Sequence, residues 1–322
     1  MKILFVGTKK CDYLQDLTYS GLVKVLGNNS VVELNSVMSY HLPVKKYPKN
    51  LGYVAFNPLA MRCRYWKDVD VVIVGAAKPS CFTDYEAILP YLSATTKTVF
   101  IDGGDWGSIG GDFKRLNCED LYENVVFKRP FDVVFKREYL KEMDYPSTVF
   151  PLPFSINEQR YKGIQQLPFL YDVAFWAVES HPIRKQVFDY VKPLYDCAFN
   201  GTVPNQVAKQ YKRKGRFYFE EVKRTRISLN FRGTGWDTLR FWEIMGLGSF
   251  MISQHPGIVI PNDFTDGKEI IYCKEDLSDL QPLCDYYLKH ENARRAIAVK
   301  AALKAAEFHT DVARAHYLLS KL

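Results

Sequence analysis

The stretch from Arg226 to Pro256, RISLNFRGTGWDTLRFWEIMGLGSFMISQHP, constrains the fold more than any other part of the chain. Ile227 to Phe231 is a short apolar, β-branched run and predicts a buried strand. Arg232-Gly233-Thr234-Gly235 is a glycine-bearing loop that lets backbone approach a ligand closely. Thr238 to Leu247 predicts a helix with Asp237 as N-cap. Gly246 and Gly248 end it, and Ser249 to Ser253 predicts the next strand. Strand, glycine loop, helix, strand is the unit of a parallel α/β sheet. Such sheets bind ligands where loops leave the carboxyl ends of strands.

On that helix Arg240 and Glu243 stand three apart and share a face. The pair reads either as a surface ion pair or as a ligand contact. In the second reading the guanidinium meets a diphosphate and the carboxylate a ribose diol.

The helix and the strand after it, R-F-W-E-I-M-G-L-G, resemble the donor-site helix of GT-B glycosyltransferases, where R-x-F-E-x-x-A-x-G precedes a strand. The resemblance is to the spore-maturation-protein-like (CgeB-like) family, and it covers about the last third of the chain. It continues through Phe264 to Tyr272, Asp279 to His290 and Phe308 to Leu319. It implies an α/β, GT-B fold of two Rossmann-like domains facing each other across a cleft. In the E-x7-E motif of retaining relatives the second Glu holds the donor ribose, and Glu243 matches it. Gly235 stands where the first Glu would be, so the stereochemical outcome stays open.

At 322 residues, with 47% apolar and 25% charged, the chain is long enough for two cored domains. The net charge is +7: residues 1–155 carry 19 Lys/Arg against 17 Asp/Glu, the remainder 24 against 19. That bias suits a nucleoside diphosphate, a nucleic acid or an acidic glycan. Seven cysteines without a C-x-x-C pair argue against a disulfide framework or a structural zinc site. No run of about 18 apolar residues predicts a membrane span, and Met1 to Val6 is too short for a signal peptide. A cytoplasmic protein without integral membrane contact is expected.

Along the chain, Met1 to Gly7, Gln15 to Leu26 and Val31 to Leu34 predict strand, helix and strand. No G-x-G-x-x-G accompanies them, which argues against a dinucleotide site. Residues 41–67 interleave Lys and Arg with Tyr, Phe and Trp, either a solvated surface or a nucleic-acid or glycan track. Strands are expected at Asp70 to Val74, Thr98 to Ile101, Phe131 to Phe135 and Val149-Phe150, with a helix at Phe82 to Leu92. The D-V-D at 68–70 opens a strand at its amino end, so a metal-binding role is rejected. The loop Asp102-Gly103-Gly104-Asp105-Trp106-Gly107 leaves a carboxyl end with two carboxylates and an indole. Asp105 and Asp102 are candidate catalytic bases, and Trp106 and Gly104 candidate acceptor contacts. Asp12, after the first strand, is a rival base or simply a helix N-cap.

The boundary is expected near 155, with a linker from Glu158 to Pro168. This gives an acceptor domain over 1–155 and a donor domain over 156–307. The last helix, 308–322, returns to the first domain as in GT-B folds. In the second half a strand spans Tyr171 to Trp176, a helix runs to about Val191, and Cys197 to Phe199 is another strand. In GT-B folds the loop after the first of these faces the donor phosphates. Ser180, His181, Arg184 and Lys185 fall there, and join Arg232, Gly233, Arg240 and Glu243 as donor-binding candidates. Lys209 to Arg226 holds eight basic residues, a solvated helix face or a polyanion contact. Later strands and helices are expected at Ile270 to Cys273, Leu277 to Leu288, Asn292 to Ala306 and Asp311 to Leu319.

The implied activity is hexosyltransferase-like, EC 2.4. A sugar passes from a nucleoside-diphosphate sugar, UDP type by slight preference, to a hydroxyl of a glycan, a protein or a modified DNA base. Neither metal nor cofactor is expected. The alternative is a non-catalytic nucleotide-sugar or nucleic-acid binding protein of the same fold.

Overall fold

The computed structural model describes residues 1–37, 40, 68–195, 202–204 and 216–322. The basic and aromatic segment 41–67, the expected strand at Cys197 to Phe199 and the Lys209–Lys214 part of the basic run lie outside these residues. The chain divides into two compact units. The first comprises Met1–Asn157, Ile258–Pro261 and Thr310–Leu322; the second Glu158–Gly257 and Asn262–His309.

In the first unit six strands form one parallel sheet in the order β2-β1-β3-β4-β5-β6. They are β1 (Ile3–Val6), β2 (Val31–Glu33), β3 (Val71–Val74), β4 (Lys97–Asp102), β5 (Val133–Lys136) and β6 (Val149–Pro151). β1, β3 and β5 are buried along their whole length, as strands covered on both faces must be. The strand order turns back between β1 and β3, the switch point where open α/β sheets bind ligands.

The helices of this unit are α1 (Tyr13–Leu26), α2 (Pro79–Ile88), α3 (Gly111–Arg115), α4 (Glu119–Lys128) and, numbered in chain order, α10 (Asp311–Leu319). Asp12 caps α1, accepting from Gln15 N at 3.1 Å. α10 packs on α1 at Gly21, where an added Cβ would lie 2.1 Å from the Asp311 carbonyl oxygen. Around that contact Lys24 Nζ meets Asp311 Oδ2 at 2.5 Å and Ser20 Oγ donates to the same oxygen at 2.7 Å.

The second unit holds a parallel sheet ordered β12-β11-β10-β7 and a separate parallel pair, β8-β9. The strands are β7 (Tyr171–Ala174), β8 (Ala177–Glu179), β9 (Thr202–Pro204), β10 (Thr225–Asn230), β11 (Met251–Gln254) and β12 (Ile271–Cys273). The helices are α5 (Pro182–Val191), α6 (Arg216–Lys223), α7 (Leu239–Gly246), α8 (Leu280–Lys289) and α9 (Glu291–Phe308). Its core joins Val173, Phe175, Ile227, Leu229, Phe231 and Ile252 from the strands to Leu280, Cys284 and Ile297 from the helices. Among the described residues no helix is long and apolar enough to cross a membrane.

Three local expectations need correction. The N-cap of α7 is Thr238, whose side chain accepts from Phe241 N, and not Asp237. Asp237 is taken by the buried indole of Trp242, which donates to Oδ1 at 2.7 Å; a buried indole N–H needs an acceptor. α2 starts three residues earlier than expected, with Pro79 at its first turn, where the missing N–H costs nothing. Residues 177–179, expected as loop, pair with residues 202–204 as β8.

Candidate functional site

In the second unit, the loops leaving the carboxyl ends of β7 and β10 bring three arginines and a histidine together. The start of α7 is fixed by a buried polar chain. Thr238 Oγ1 donates to Asn230 Oδ1 at 2.7 Å, and Asn230 Nδ2 donates to Ser253 Oγ at 3.0 Å. This ties the cap of α7 to β10 and β11.

From that helix start Arg240 reaches back over the Phe175 ring, 5.2 Å from its centroid, and donates through Nε to the Trp176 carbonyl at 2.7 Å. Its Nη1 is buried without a hydrogen-bond partner. Arg184, nearly buried, spends four of five N–H groups on protein. Nε donates to Arg232 O (2.8 Å), Nη1 to Val178 O (2.7 Å) and Ser180 Oγ (3.1 Å), and Nη2 to Phe231 O (3.3 Å). One Nη2 hydrogen remains. Gly233 leaves room beside it, since a Cβ there would lie 2.9 Å from Arg184 Nη2 and 3.0 Å from Ser180 Oγ.

No carboxylate opposes Arg184 or Arg240 among the described residues. Burial, and then the Arg240 charge, push the Arg184 guanidinium down to about 9. A guanidinium still keeps its proton at neutral pH, so the crowding is a standing electrostatic cost that an anion would relieve. Arg232 lies over Trp236, 4.0 Å from the ring centroid, and donates to Thr234 O at 3.0 Å. His181 caps α5, its Nδ1 accepting from Ile183 N, so its proton sits on Nε2. Burial, Arg232 and Arg184 all lower its pKa, which keeps it a neutral donor at pH 7.

Two donor candidates behave otherwise. Lys185 is exposed on α5 and pairs with Asp189 one turn on, outside the guanidinium cluster. Glu243 is 1% exposed and its Oε1 accepts from Arg160 Nη2 at 2.8 Å. In this arrangement its carboxylate is engaged from inside the fold.

In the first unit the candidates gather at the carboxyl edge of β1, β3, β4 and β5. Asp102 and Lys136 face each other in register at the ends of β4 and β5. Both are fully buried and lie 3.0 Å apart. Asp102 also accepts from Gly110 N (2.9 Å) and Gly104 N (3.3 Å). Both Asp102 oxygens are thus engaged inside the fold, where they position the loop. Gly104 is likewise turned inward. Its N–H goes to Asp102, its carbonyl accepts from Arg137 Nη2 at 3.2 Å, and a Cβ would meet Asp112 Cγ at 3.0 Å.

Asp105 and Trp106 are exposed. Asp105 pairs with the nearly buried Arg137. Asp12 lies on the other side of Gly103, whose added Cβ would be 3.6 Å from Asp12 Oδ1. Lys78 Nζ stands 3.9 Å from Asp12 Oδ2 and 3.5 Å from Asp112 Oδ2. Burial raises the Asp12 pKa, and Lys78 only partly offsets it. A partly buried carboxylate with a raised pKa, beside a sheet switch point, suits a general base.

Lys78, Asp112, Arg137 and Arg160 were not among the sequence candidates. They come from separate loops, and only the sheet order brings the first three to one edge. The K-R-E-Y run ending β5 was the one available signal for Arg137.

Residues 185–320 match a family model described as glycosyl transferase-like. No curated protein matches the chain. Among solved structures, the chain is similar to an α-glucosyltransferase in complex with UDP and a 13-mer DNA containing a central A:G mismatch. The two share a TM-score of 0.62 and 10% identity over 99% of this chain and 97% of that one. HepE from Anabaena, solved with UDP-glucose, gives a TM-score of 0.61 at 10% identity over the whole of both chains. An α1,3-fucosyltransferase solved with GDP gives 0.51 at 13% over 100% and 88%. The chain thus has the GT-B fold of two Rossmann-like α/β units and carries a glycosyl transferase-like domain over residues 185–320.

Proposed function

We propose that the chain is a glycosyltransferase, hexosyltransferase-like and close to the CgeB-like family. It moves a sugar from a nucleoside-diphosphate sugar, with UDP favoured, to a hydroxyl acceptor without a metal. The observation that carries this reading is the pair Arg184 and Arg240, which no carboxylate among the described residues opposes, with Arg240 Nη1 buried and without a partner among them. Fixed cations without a counter-ion, at the carboxyl edge of a parallel sheet, are what a departing diphosphate needs. The structures of similar fold that hold UDP or GDP support the choice of ligand.

The residues divide the work. Arg240 Nη1, the remaining Arg184 N–H and the neutral His181 Nε2–H donate to the diphosphate, with Arg232 and Ser180 at its margin and Gly233, lacking a side chain, leaving the space open. Glu243 is the ribose partner if Arg160 yields its place. Asp12 takes the proton of the acceptor hydroxyl, with Asp105 the second candidate. The acceptor oxygen then bonds to the anomeric carbon as the carbon–oxygen bond to the diphosphate breaks, and the electron pair leaves on the phosphate. A cytoplasmic setting suits such a donor.

The test is a thermal-shift series with UDP, GDP, TDP and CDP, followed by hydrolysis of the matching sugar nucleotide in EDTA. One diphosphate should raise the melting temperature above the others by mass action. No shift with any of them removes the donor reading. A shift without turnover at any acceptor leaves the non-catalytic binding protein.

A further inference from the structure

The β4–α3 loop holds an indole in the open. Trp106 is 48% exposed, yet its backbone is fixed from several sides. Asp102 holds the N–H groups of Gly104 and Gly110, and Tyr145 donates to the Gly107 carbonyl at 2.8 Å. Gly111 packs beneath the ring's root, where a Cβ would lie 2.8 Å from Trp106 Cβ. Gly107 packs equally closely against Leu140 and Met143. Trp106 thus presents an indole face to solvent from a backbone that the loop's own hydrogen bonds hold in place.

Its sequence neighbour is built just as firmly. Asp105 is exposed and pairs with Arg137. Arg137 in turn rests on the Phe154 ring, 4.8 Å from its centroid, and lies 3.4 Å from Glu138. The loop therefore offers a flat aromatic face next to an oriented carboxylate–guanidinium pair.

We propose that this loop is the acceptor subsite and that the acceptor is a saccharide. The apolar C–H face of the sugar ring stacks on Trp106, and an adjacent hydroxyl donates to Asp105, whose carboxylate Arg137 orients. This rests on the glycosyltransferase reading and names its acceptor class. A pyranose combines an apolar face with hydroxyls at its edge, and the loop pairs an indole with an exposed, oriented carboxylate that accepts from them.

A nucleic acid would also stack on an indole, but it needs cations free for its phosphates. At this edge Lys78, Lys136 and Arg137 each lie within ion-pair distance of a carboxylate. The exposed Lys9 and Lys10 of the β1–α1 loop are the cations a DNA acceptor would have to use.

The full chain, saturated with the diphosphate that stabilises it, is applied to an oligosaccharide array and to a DNA duplex carrying a hydroxymethylated base. The wild type is expected to bind one class of oligosaccharide. Trp106→Ala should weaken that binding about tenfold while Trp106→Phe keeps most of it. Asp105→Asn, also an exposed change, should weaken it severalfold. Both positions are exposed, so the diphosphate thermal shift stays unchanged in all three variants and reports folding separately. Binding to no saccharide overturns the proposal, as does binding to the duplex alone that fades with salt and with Lys9→Ala/Lys10→Ala. In either case an intact diphosphate shift leaves the donor reading standing.

Discussion

Arg160 and Glu243 form an ion pair at 2.8 Å, and the two side chains are 2% and 1% exposed. The Arg160 guanidinium also lies over the Phe219 ring, 5.1 Å from its centroid. Removing one partner of such a pair leaves a buried charge unopposed and costs about 3–5 kcal/mol. Glu243→Ala is expected to lower the unfolding free energy obtained from urea melts by that amount. The double variant Arg160→Met/Glu243→Leu should cost less than either single change. Donor affinity is then measured on the better-folded Glu243→Gln, with UDP against its 2′,3′-dideoxy form. A ribose contact appears as lost discrimination between the two. If Glu243→Ala costs under about 1 kcal/mol, the buried pair does not hold this region.

Arg240→Ala and Arg184→Ala should separate binding from stability. Arg240 makes one hydrogen bond to protein and leaves Nη1 unpartnered, so its loss barely disturbs folding. The affinity for the stabilising diphosphate should fall at least about tenfold, since a charged hydrogen bond contributes roughly 1.5–3 kcal/mol. Arg184 binds four protein acceptors on two chain segments, Val178–Ser180 and Phe231–Arg232, and its removal should also lower the melting temperature. Calorimetric titration beside thermal melts makes the distinction. Equal stability losses for the two variants would count against it.

Asp12 should set the acid limb of the rate profile. Burial raises its pKa, and a base works only when ionised, so the transfer rate should climb as pH rises through a value above the ordinary carboxylate range. Folding responds in the opposite sense. The native state holds the Asp12 proton, and that of the buried Asp16 one turn away, more tightly than the unfolded chain. Their contribution is complete below the unfolded pKa and is lost as pH rises through the folded one. Asp12→Asn keeps a capping side chain for α1 but should cost about 10²–10⁴ in rate. A variant with wild-type turnover moves the role to Asp105.

Much of the sheet framework was legible because its strands are written as apolar, β-branched runs; Val71 to Val74 is the clearest. α3 and α4 were not anticipated. Between Gly107 and Lys128 glycines and charges interrupt the apolar residues, and α4 buries only Val125 fully, so no strong period is present. At the site the limit was different. Arg240, Arg184 and Arg232 were legible because loop and helix-start positions follow from local pattern. The burial of Asp102 depends on Lys136, and that of Glu243 on Arg160 83 residues away. Such partners meet only through topology, which local pattern does not carry.

Gly233 gives the narrowest test of the donor loop. Its φ lies outside the left-handed region, so alanine fits the backbone and the change is purely steric. The added methyl would sit 2.9 Å from Arg184 Nη2 and 3.0 Å from Ser180 Oγ. Gly233→Ala should therefore stay within about 1 kcal/mol of wild-type stability while weakening diphosphate binding about tenfold. Gly110→Ala is the contrast. Its φ of 71° is left-handed and Tyr122 stands 3.0 Å from the new atom, so that change should cost stability and leave diphosphate affinity alone. If Gly233→Ala binds the diphosphate as well as wild type does, Arg184 Nη2 is not a phosphate donor, and Arg184 serves only to tie its loops together.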